Sequence, residues 1–305
     1  MKIIRAGTMG FCAGVRRAVN CANKALEENS DLSKKNQGYV YTLGPLIHNP
    51  VALKKLAERN LKILSDGDFS NLSQNDTVLI RAHGVPPEKE AELKSKGANV
   101  INATCPLVTQ SQNRAAKYAG ENYVIFFAGD KNHGEVVGIE GYALESARKN
   151  NLECSFILIK DTDEAKKEAE NLCKNHSDIE NRKIVLFSQT TFSISMFEKI
   201  EKFLKEKFPQ IEIVNSICPA THERQSSLID LCSKVDGVLV IGGKTSANTN
   251  RLLTTAKKLC KNAALIENAD EIPEDFFHLE SVGLTAGAST PDDVIEEVEL
   301  KLKGC

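Results

Sequence analysis

Short apolar runs, many of them β-branched, alternate along the chain with stretches whose apolar positions recur at helical spacing. The runs predict strands at Lys2–Ala6, Tyr39–Leu43, Thr77–Arg81, Tyr123–Ala128, Phe156–Lys160, Lys183–Ser188, Ile211–Asn215, Gly237–Ile241, Ala263–Ile266 and Ser281–Leu284. Helices are expected between them. From Arg251, the residues Leu252, Leu253, Ala256, Leu259 and Cys260 share one helical face. In the last helix Thr290 is expected as the cap, with Pro291 in the first turn and Asp293 completing a capping box. Val294, Ile295, Val298 and Leu302 would form its buried stripe. This alternation argues for α/β units with mostly parallel sheets. The polar stretch Glu27–Gly38 reads as a surface connection.

A weak repeat runs through the pattern. Asn102-Ala103-Thr104-Cys105-Pro106 resembles Asn215-Ser216-Ile217-Cys218-Pro219, and Gln112 and Gln225 follow the two cysteines at the same distance. Each motif lies between a strand-like and a helix-like run. Met9-Gly10-Phe11-Cys12-Ala13-Gly14 has the same setting. The cysteines are 93 and 113 residues apart, which suits three α/β units of ordinary domain size. The expected boundaries are 13–104, 105–217, and 218–305 together with 1–12.

Composition narrows the function. The chain has 305 residues, 41% hydrophobic and 26% charged, so it can form cores and is not disordered. A net charge of -2 argues against a generic nucleic-acid partner. No apolar run approaches the ~20 residues that span a bilayer. The opening residues Met1-Lys2-Ile3-Ile4-Arg5 do not form a secretory leader, so a cytoplasmic, reducing compartment is expected. The nine cysteines cannot all pair internally. Cys21, Cys232 and Cys260 fall on apolar helical faces and read as core, and Cys305 as a terminal residue; Cys154 and Cys173 carry no assigned role.

Cys12, Cys105 and Cys218 are different. A cysteine at a helix N-terminus faces unpaired N–H groups and the positive end of the dipole, which favour the thiolate. Pro106 and Pro219 suit the first helical position. One such thiolate reads as a nucleophile and three read as a metal site. The absence of Cys-x-x-Cys disfavours zinc ribbons and thioredoxin-like sites. An all-thiolate set suits an iron–sulfur cluster or zinc. Three buried structural cysteines remain the alternative.

Polar residues gather in the loops after strands. His48, His83 and His133 lie in segments punctuated by glycine or proline, where open α/β sheets bind ligands. His176 and His278 read as surface residues, and His222 is ambiguous. Gln189-Thr190-Thr191, Ser246, Asn248, Thr249 and Ser289 stand at strand ends and helix starts suited to phosphate. Gly243-Lys244-Thr245 is not a P-loop ending, because Val238 stands where its first glycine is required, and no Gly-x-Gly-x-x-Gly run supports a dinucleotide. Glu135 adds a carboxylate beside His133 that could hold or deliver a proton.

Together these segments resemble the 4-hydroxy-3-methylbut-2-enyl diphosphate reductase family. The resemblance runs from Gly10-Phe11-Cys12-Ala13-Gly14-Val15 through Ala82-His83-Gly84-Val85, Ala103-Thr104-Cys105-Pro106-Leu107-Val108, the His133/Glu135 loop, Gln189-Thr190-Thr191 and Ile217-Cys218-Pro219-Ala220-Thr221 to Thr285-Ala286-Gly287-Ala288-Ser289. It implies a trefoil of three similar α/β domains around a 4Fe-4S cluster. Cys12, Cys105 and Cys218 would be the ligands, leaving one iron open. His48, His83, Ser246, Asn248 and Ser289 would hold the substrate diphosphate, with His133 bordering that pocket. Glu135 and Thr190 would stand near the hydroxymethyl group, with Glu135 in the proton relay; these two and His133 are the catalytic candidates. The implied reaction is a two-electron reductive dehydroxylation giving isopentenyl and dimethylallyl diphosphate. A ferredoxin or flavodoxin would supply the electrons. A 4Fe-4S hydro-lyase, or a non-catalytic iron–sulfur or zinc protein, are the rival readings. Two positions depart from the family pattern: Gly134 stands where proline is common, and Ala247 where a second serine is common.

Overall fold

A computed structural model describes residues 1–30, 38–65 and 68–304. In chain order the elements begin β1 (Lys2–Arg5), α1 (Ala13–Asn29), β2 (Val40–Leu43), α2 (Pro50–Glu58), β3 (Leu61–Leu64), β4 (Thr77–Ile80), α3 (Pro87–Ser95) and β5 (Asn99–Asn102). They continue with α4 (Pro106–Gly120), β6 (Val124–Ala128), α5 (Gly134–Lys149), β7 (Ser155–Ile159), α6 (Thr162–Asn175), β8 (Ile184–Ser188), α7 (Ile194–Lys207) and β9 (Glu212–Ile213). The last are α8 (Pro219–Cys232), β10 (Gly237–Ile241), α9 (Ala247–Leu259), β11 (Asn262–Ile266), β12 (Ser281–Ala286) and α10 (Asp292–Lys303). The chain divides into two compact units. One comprises Met1–Ala82, Gly97–Ala103 and Pro219–Cys305; the other comprises His83–Lys96 and Thr104–Cys218.

The first unit holds two four-stranded sheets, ordered β3-β2-β4-β5 and β11-β10-β12-β1, and the second unit holds one, ordered β7-β6-β8-β9. Every strand pairing among the described residues is parallel. The α/β class expected from the alternation is therefore found, and the order is the same in all three sheets. In β3-β2-β4-β5 and β7-β6-β8-β9 the earliest strand lies second, its successor forms one edge and the third strand leads to the other edge; in β11-β10-β12-β1 the strands β10, β11 and β12 take those places. In the β11-β10-β12-β1 sheet that last edge is β1, paired with β12 from Lys2 against Ser281 to Arg5 against Leu284.

The sheets are buried on both faces where helices cover them, as parallel sheets require. In the second unit, alternate residues of β6 and β8 feed separate cores. Val124, Phe126, Ile184 and Leu186 pack toward α6 and α7. Ile125, Phe127, Val185 and Phe187 pack toward α4 and α5. The expected stripe of α10 is buried: Val294, Ile295, Val298 and Leu302 join Leu239, Ile241 and Leu284. Cys232 is buried in a core, and Cys21 and Cys260 pack against cores half-buried, as their helical spacing implied.

Three expectations change. β3 and β5 have no counterpart in the strand prediction. Both are four-residue edge strands, and neither shows an alternation of buried and exposed positions that could reveal it. The capping box of the last helix does not form, because Thr290 turns its hydroxyl inward to donate to the Ile241 carbonyl at 2.9 Å. The cap is instead Pro291, and Asp292 and Asp293 supply the acidic first turn. The expected connection Glu27–Gly38 is helical to Asn29. Residues 31–37 and Cys305 lie outside the described residues.

Candidate functional site

The neighbouring pairs β2 and β4, β6 and β8, and β10 and β12 hold equivalent places in the three sheets. Their outgoing loops turn to opposite sides and open a crevice at the carboxyl ends. The polar residues singled out in the sequence lie on these loops. His48 follows β2 and His83 follows β4; His133 follows β6 and Thr190 follows β8; Ser246 follows β10 and Ser289 follows β12. The fourth strand of each sheet leads into a cysteine: β5 into Cys105, β9 into Cys218 and β1 into Cys12.

All three cysteines are reduced, half-buried, and set immediately before a helix. Cys12 caps α1 in an extended conformation, and its sulfur accepts from the Val15 N–H at 3.4 Å. Pro106 and Pro219 open α4 and α8, as predicted, so the helix start costs no N–H there. The Cys218 N–H donates to the Thr190 carbonyl at 2.8 Å. Three sulfurs at helix starts, without a nitrogen or oxygen ligand pattern beside them in sequence, suit soft-metal chemistry of the iron–sulfur kind.

The second unit brings together four of the expected residues. Glu135, in the first turn of α5, is 1% exposed. One of its carboxylate oxygens accepts from the Thr190 N–H at 2.7 Å and the other from the Thr190 hydroxyl at 2.8 Å. His133 caps α5, its Nδ1 accepting from the Glu135 N–H at 3.2 Å. Its ring meets His83 edge-on, with centroids 5.3 Å apart. Gln189 braces the loops: its Oε1 accepts from the Asp130 N–H at 3.0 Å, and its Nε2 donates to the Thr191 hydroxyl at 2.8 Å. Gly84, at φ +73°, makes the turn after His83, and a Cβ there would lie 2.4 Å from Gln112 Nε2.

The first unit holds the others. Ser289 donates its hydroxyl to the His48 carbonyl at 3.0 Å. Gly243 approaches the same carbonyl so closely that a Cβ would lie 2.4 Å from its oxygen. Burial, and secondarily the Arg81 guanidinium, hold the His48 imidazole below its ordinary pKa. Ser246 caps α9, accepting from the Thr249 N–H at 3.3 Å. Asn248 and Thr249 follow it, both buried, and the Asn248 amide nitrogen and Thr249 hydroxyl have no hydrogen-bond partner. An unsatisfied buried donor costs about 1–3 kcal/mol, so such groups call for a ligand.

The remaining histidines divide as expected or are settled. His222 and His278 are exposed, and His176 is half-buried with its ring 3.5 Å from Arg182. Arg224 was not anticipated. It is 3% exposed and donates to the Gly10 carbonyl at 2.6 Å and the Ala220 carbonyl at 2.8 Å. It thus ties the loop before Cys12 to the start of the helix after Cys218. The signal was the buried helical stripe of Thr221, Arg224 and Leu228.

Comparison with known proteins gives a consistent picture. The family model described as LytB protein matches residues 3–303. A 4-hydroxy-3-methylbut-2-enyl diphosphate reductase of Treponema denticola is 43% identical over 305 residues, covering 99% of each chain. A protein of the same name from Clostridium acetobutylicum is 40% identical over 303 residues; the match covers 99% of this chain and 43% of that longer protein. A solved structure of (E)-4-hydroxy-3-methyl-but-2-enyl diphosphate reductase, described as the terminal enzyme of the non-mevalonate pathway, is similar over 100% of both chains, with a TM-score of 0.68 and 36% identity.

Proposed function

This chain belongs to the LytB protein family, and we infer that it catalyses the reaction for which its relatives are named, the reduction of 4-hydroxy-3-methylbut-2-enyl diphosphate. It is an oxidoreductase of the non-mevalonate route. In finer detail, two single electrons remove the substrate's hydroxyl as water and yield isopentenyl and dimethylallyl diphosphate. A ferredoxin or flavodoxin supplies the electrons. No helix of the described residues is long and apolar enough to cross a membrane, in keeping with a cytoplasmic enzyme.

Cys12, Cys105 and Cys218 would hold a 4Fe-4S cluster with one iron lacking a protein thiolate. When bound, that group would supply the electron transfer and Lewis-acid chemistry. The residues around it do the rest. The observation that carries the reading is the buried Glu135–Thr190 pair, tied through the Thr190 carbonyl to the Cys218 N–H. A carboxyl group held at both oxygens by one residue keeps a fixed orientation. It can pass a proton through the Thr190 hydroxyl to a departing oxygen and to the allylic fragment. His133 shapes the start of the helix that carries Glu135 and borders the substrate.

The diphosphate falls to the residues at the helix starts and strand ends. His48, His83, Ser246, Asn248 and Ser289 offer donors, and the unpartnered amide nitrogen of Asn248 gains an acceptor when a phosphate oxygen arrives. Ala247, which offers no hydroxyl, is the first residue of α9, directly after the capping Ser246.

The test is anaerobic. Protein reconstituted with iron and sulfide is mixed with reduced methyl viologen and the hydroxymethylbutenyl diphosphate. Substrate-dependent bleaching with both five-carbon diphosphates as products is expected. A full iron–sulfur complement with no bleaching would reject the reading and favour a hydro-lyase, which consumes no electrons.

A further inference from the structure

We propose that the exposed face of α1 bearing Arg16, Arg17 and Lys24 is the surface on which a small acidic one-electron carrier protein docks. The inference rests on the reading above, in which Cys12 at the head of this helix holds the electron-accepting group.

The helix buries one side, where Ala18, Ala22, Ala25 and Leu26 pack on the core beside β2. Among the described residues its other side is open. Ala13, Arg16, Arg17, Asn20 and Lys24 are exposed and line a shallow groove floored by the half-buried Cys21. Between Ala13 and Lys24 the helix carries three cations and no acid; its acids begin at Glu27. Cations near a helix N-terminus oppose the dipole, so helix stability does not account for Arg16 and Arg17. The other two cysteine-led helices lack this feature. α4 places Arg114 and Lys117 in its later turns, while α8 has Glu223 in its second turn and buries Arg224.

The position suits electron delivery. Arg16 is about one helical turn, roughly 5.4 Å of rise, from Cys12. Arg17 donates to the Asn102 carbonyl at 3.2 Å, and Asn102 stands three residues before Cys105. The cationic face therefore covers the helix behind one proposed ligand and touches the segment leading to another. The exposed Arg16–Asp292 and Lys24–Glu28 pairs, 3.7 and 3.8 Å apart, neutralise little of it. The whole chain carries a net charge of -2, so an acidic carrier meets repulsion over the average surface and attraction here. That contrast steers and orients an encounter.

The test compares two donors to the cluster-bearing enzyme. Reduced methyl viologen needs no docking surface. A reduced acidic ferredoxin serves as the protein probe, and its binding is also measured directly by titration calorimetry. The triple variant Arg16→Gln, Arg17→Gln, Lys24→Gln is expected to lose about 10- to 100-fold in ferredoxin affinity and in ferredoxin-supported kcat/KM. Its viologen-supported rate should stay within about twofold of wild type, and its ferredoxin rate should lose its salt dependence. Lys24→Glu alone, on an exposed side chain, should give a smaller loss in the same direction. A triple variant that binds and uses ferredoxin like wild type would overturn the proposal. A cluster-bearing wild type idle with viologen would overturn the reductase reading instead, while the calorimetric titration still decides the surface.

Discussion

Both oxygens of the Glu135 carboxylate are taken by one residue, Thr190, through its N–H at 2.7 Å and its hydroxyl at 2.8 Å. The pairing fixes the carboxylate in a nearly dry place. Glu135→Gln would turn an NH2 group toward one of these donors and remove the transferable proton. We expect turnover to fall by about 10²–10⁴-fold, the usual contribution of a positioned proton donor. The cluster's visible absorbance should remain. Thr190→Val, which keeps the shape and the N–H but removes the hydroxyl, should fall between the two. Turnover retained in Glu135→Gln would remove this residue from the proton relay.

Replacing the proposed ligands tests a different link. Cys12→Ser, Cys105→Ser and Cys218→Ser should each lose most of the iron and sulfide after anaerobic reconstitution, because an alcohol is a poor ligand for iron in a thiolate site. Circular dichroism should be unchanged, since each side chain sits at a helix start and outside the cores. Full iron loading in any of the three would exclude that residue as a ligand.

The strand–helix alternation and the three cysteine motifs were legible from local pattern, because parallel strands read as apolar runs and a Cys-Pro pair announces a helix start. Edge strands such as Leu61–Leu64 and Asn99–Asn102 were not, since pairing on one side asks little of their side chains. The candidate site was legible as a roster of residues. Its hydrogen bonds were not: nothing local in Glu135 or Thr190 states that 55 residues of chain return the two to one pair. Thr290 likewise read as a cap by spacing, and tertiary contact with Ile241 redirected it.

His48 gives a pH-dependent prediction. Its pKa lies below 6.5, chiefly through burial and then through Arg81. The neutral form is favoured in the folded state. Stability from this group is present above the unfolded value and is lost as pH falls through the lowered folded value. Imidazole proton resonances should show His48 titrating below 6.5 in the apo protein. Arg81→Gln should raise that midpoint but leave it below 6.5, because burial is the larger cause. A midpoint unchanged by Arg81→Gln would remove the guanidinium from the account.

Asn248 separates stability from binding. Its buried amide nitrogen has no partner, so Asn248→Leu should keep or raise apo stability, by up to about 1–2 kcal/mol in chemical denaturation. The same change should weaken inorganic pyrophosphate binding by about 10-fold or more, the value of one hydrogen bond to a charged group. Parallel losses of stability and binding would show a merely structural residue.

Gly134 opens α5 directly after the capping His133. Proline suits that first helical position. Gly134→Pro should stabilise the chain by about 0.4–1 kcal/mol by restricting the unfolded state. Turnover should be kept, as Glu135 is held by Thr190 rather than by the loop's freedom. A large loss of turnover would mean that this glycine's mobility matters.

The sheet closed by β1 has a consequence for how the protein is made. Lys2 is synthesised 279 residues before its partner Ser281. At about 5–20 residues per second, the first strand waits on the order of tens of seconds for its neighbour. The sheet carried wholly by residues 124–213 can assemble while translation continues. Cys12 is the first of the three cysteines to be synthesised and the last to have its sheet completed. A chain stalled before Ser281 lacks the neighbour that pairs with β1, so the strand leading to Cys12 has no place in its sheet.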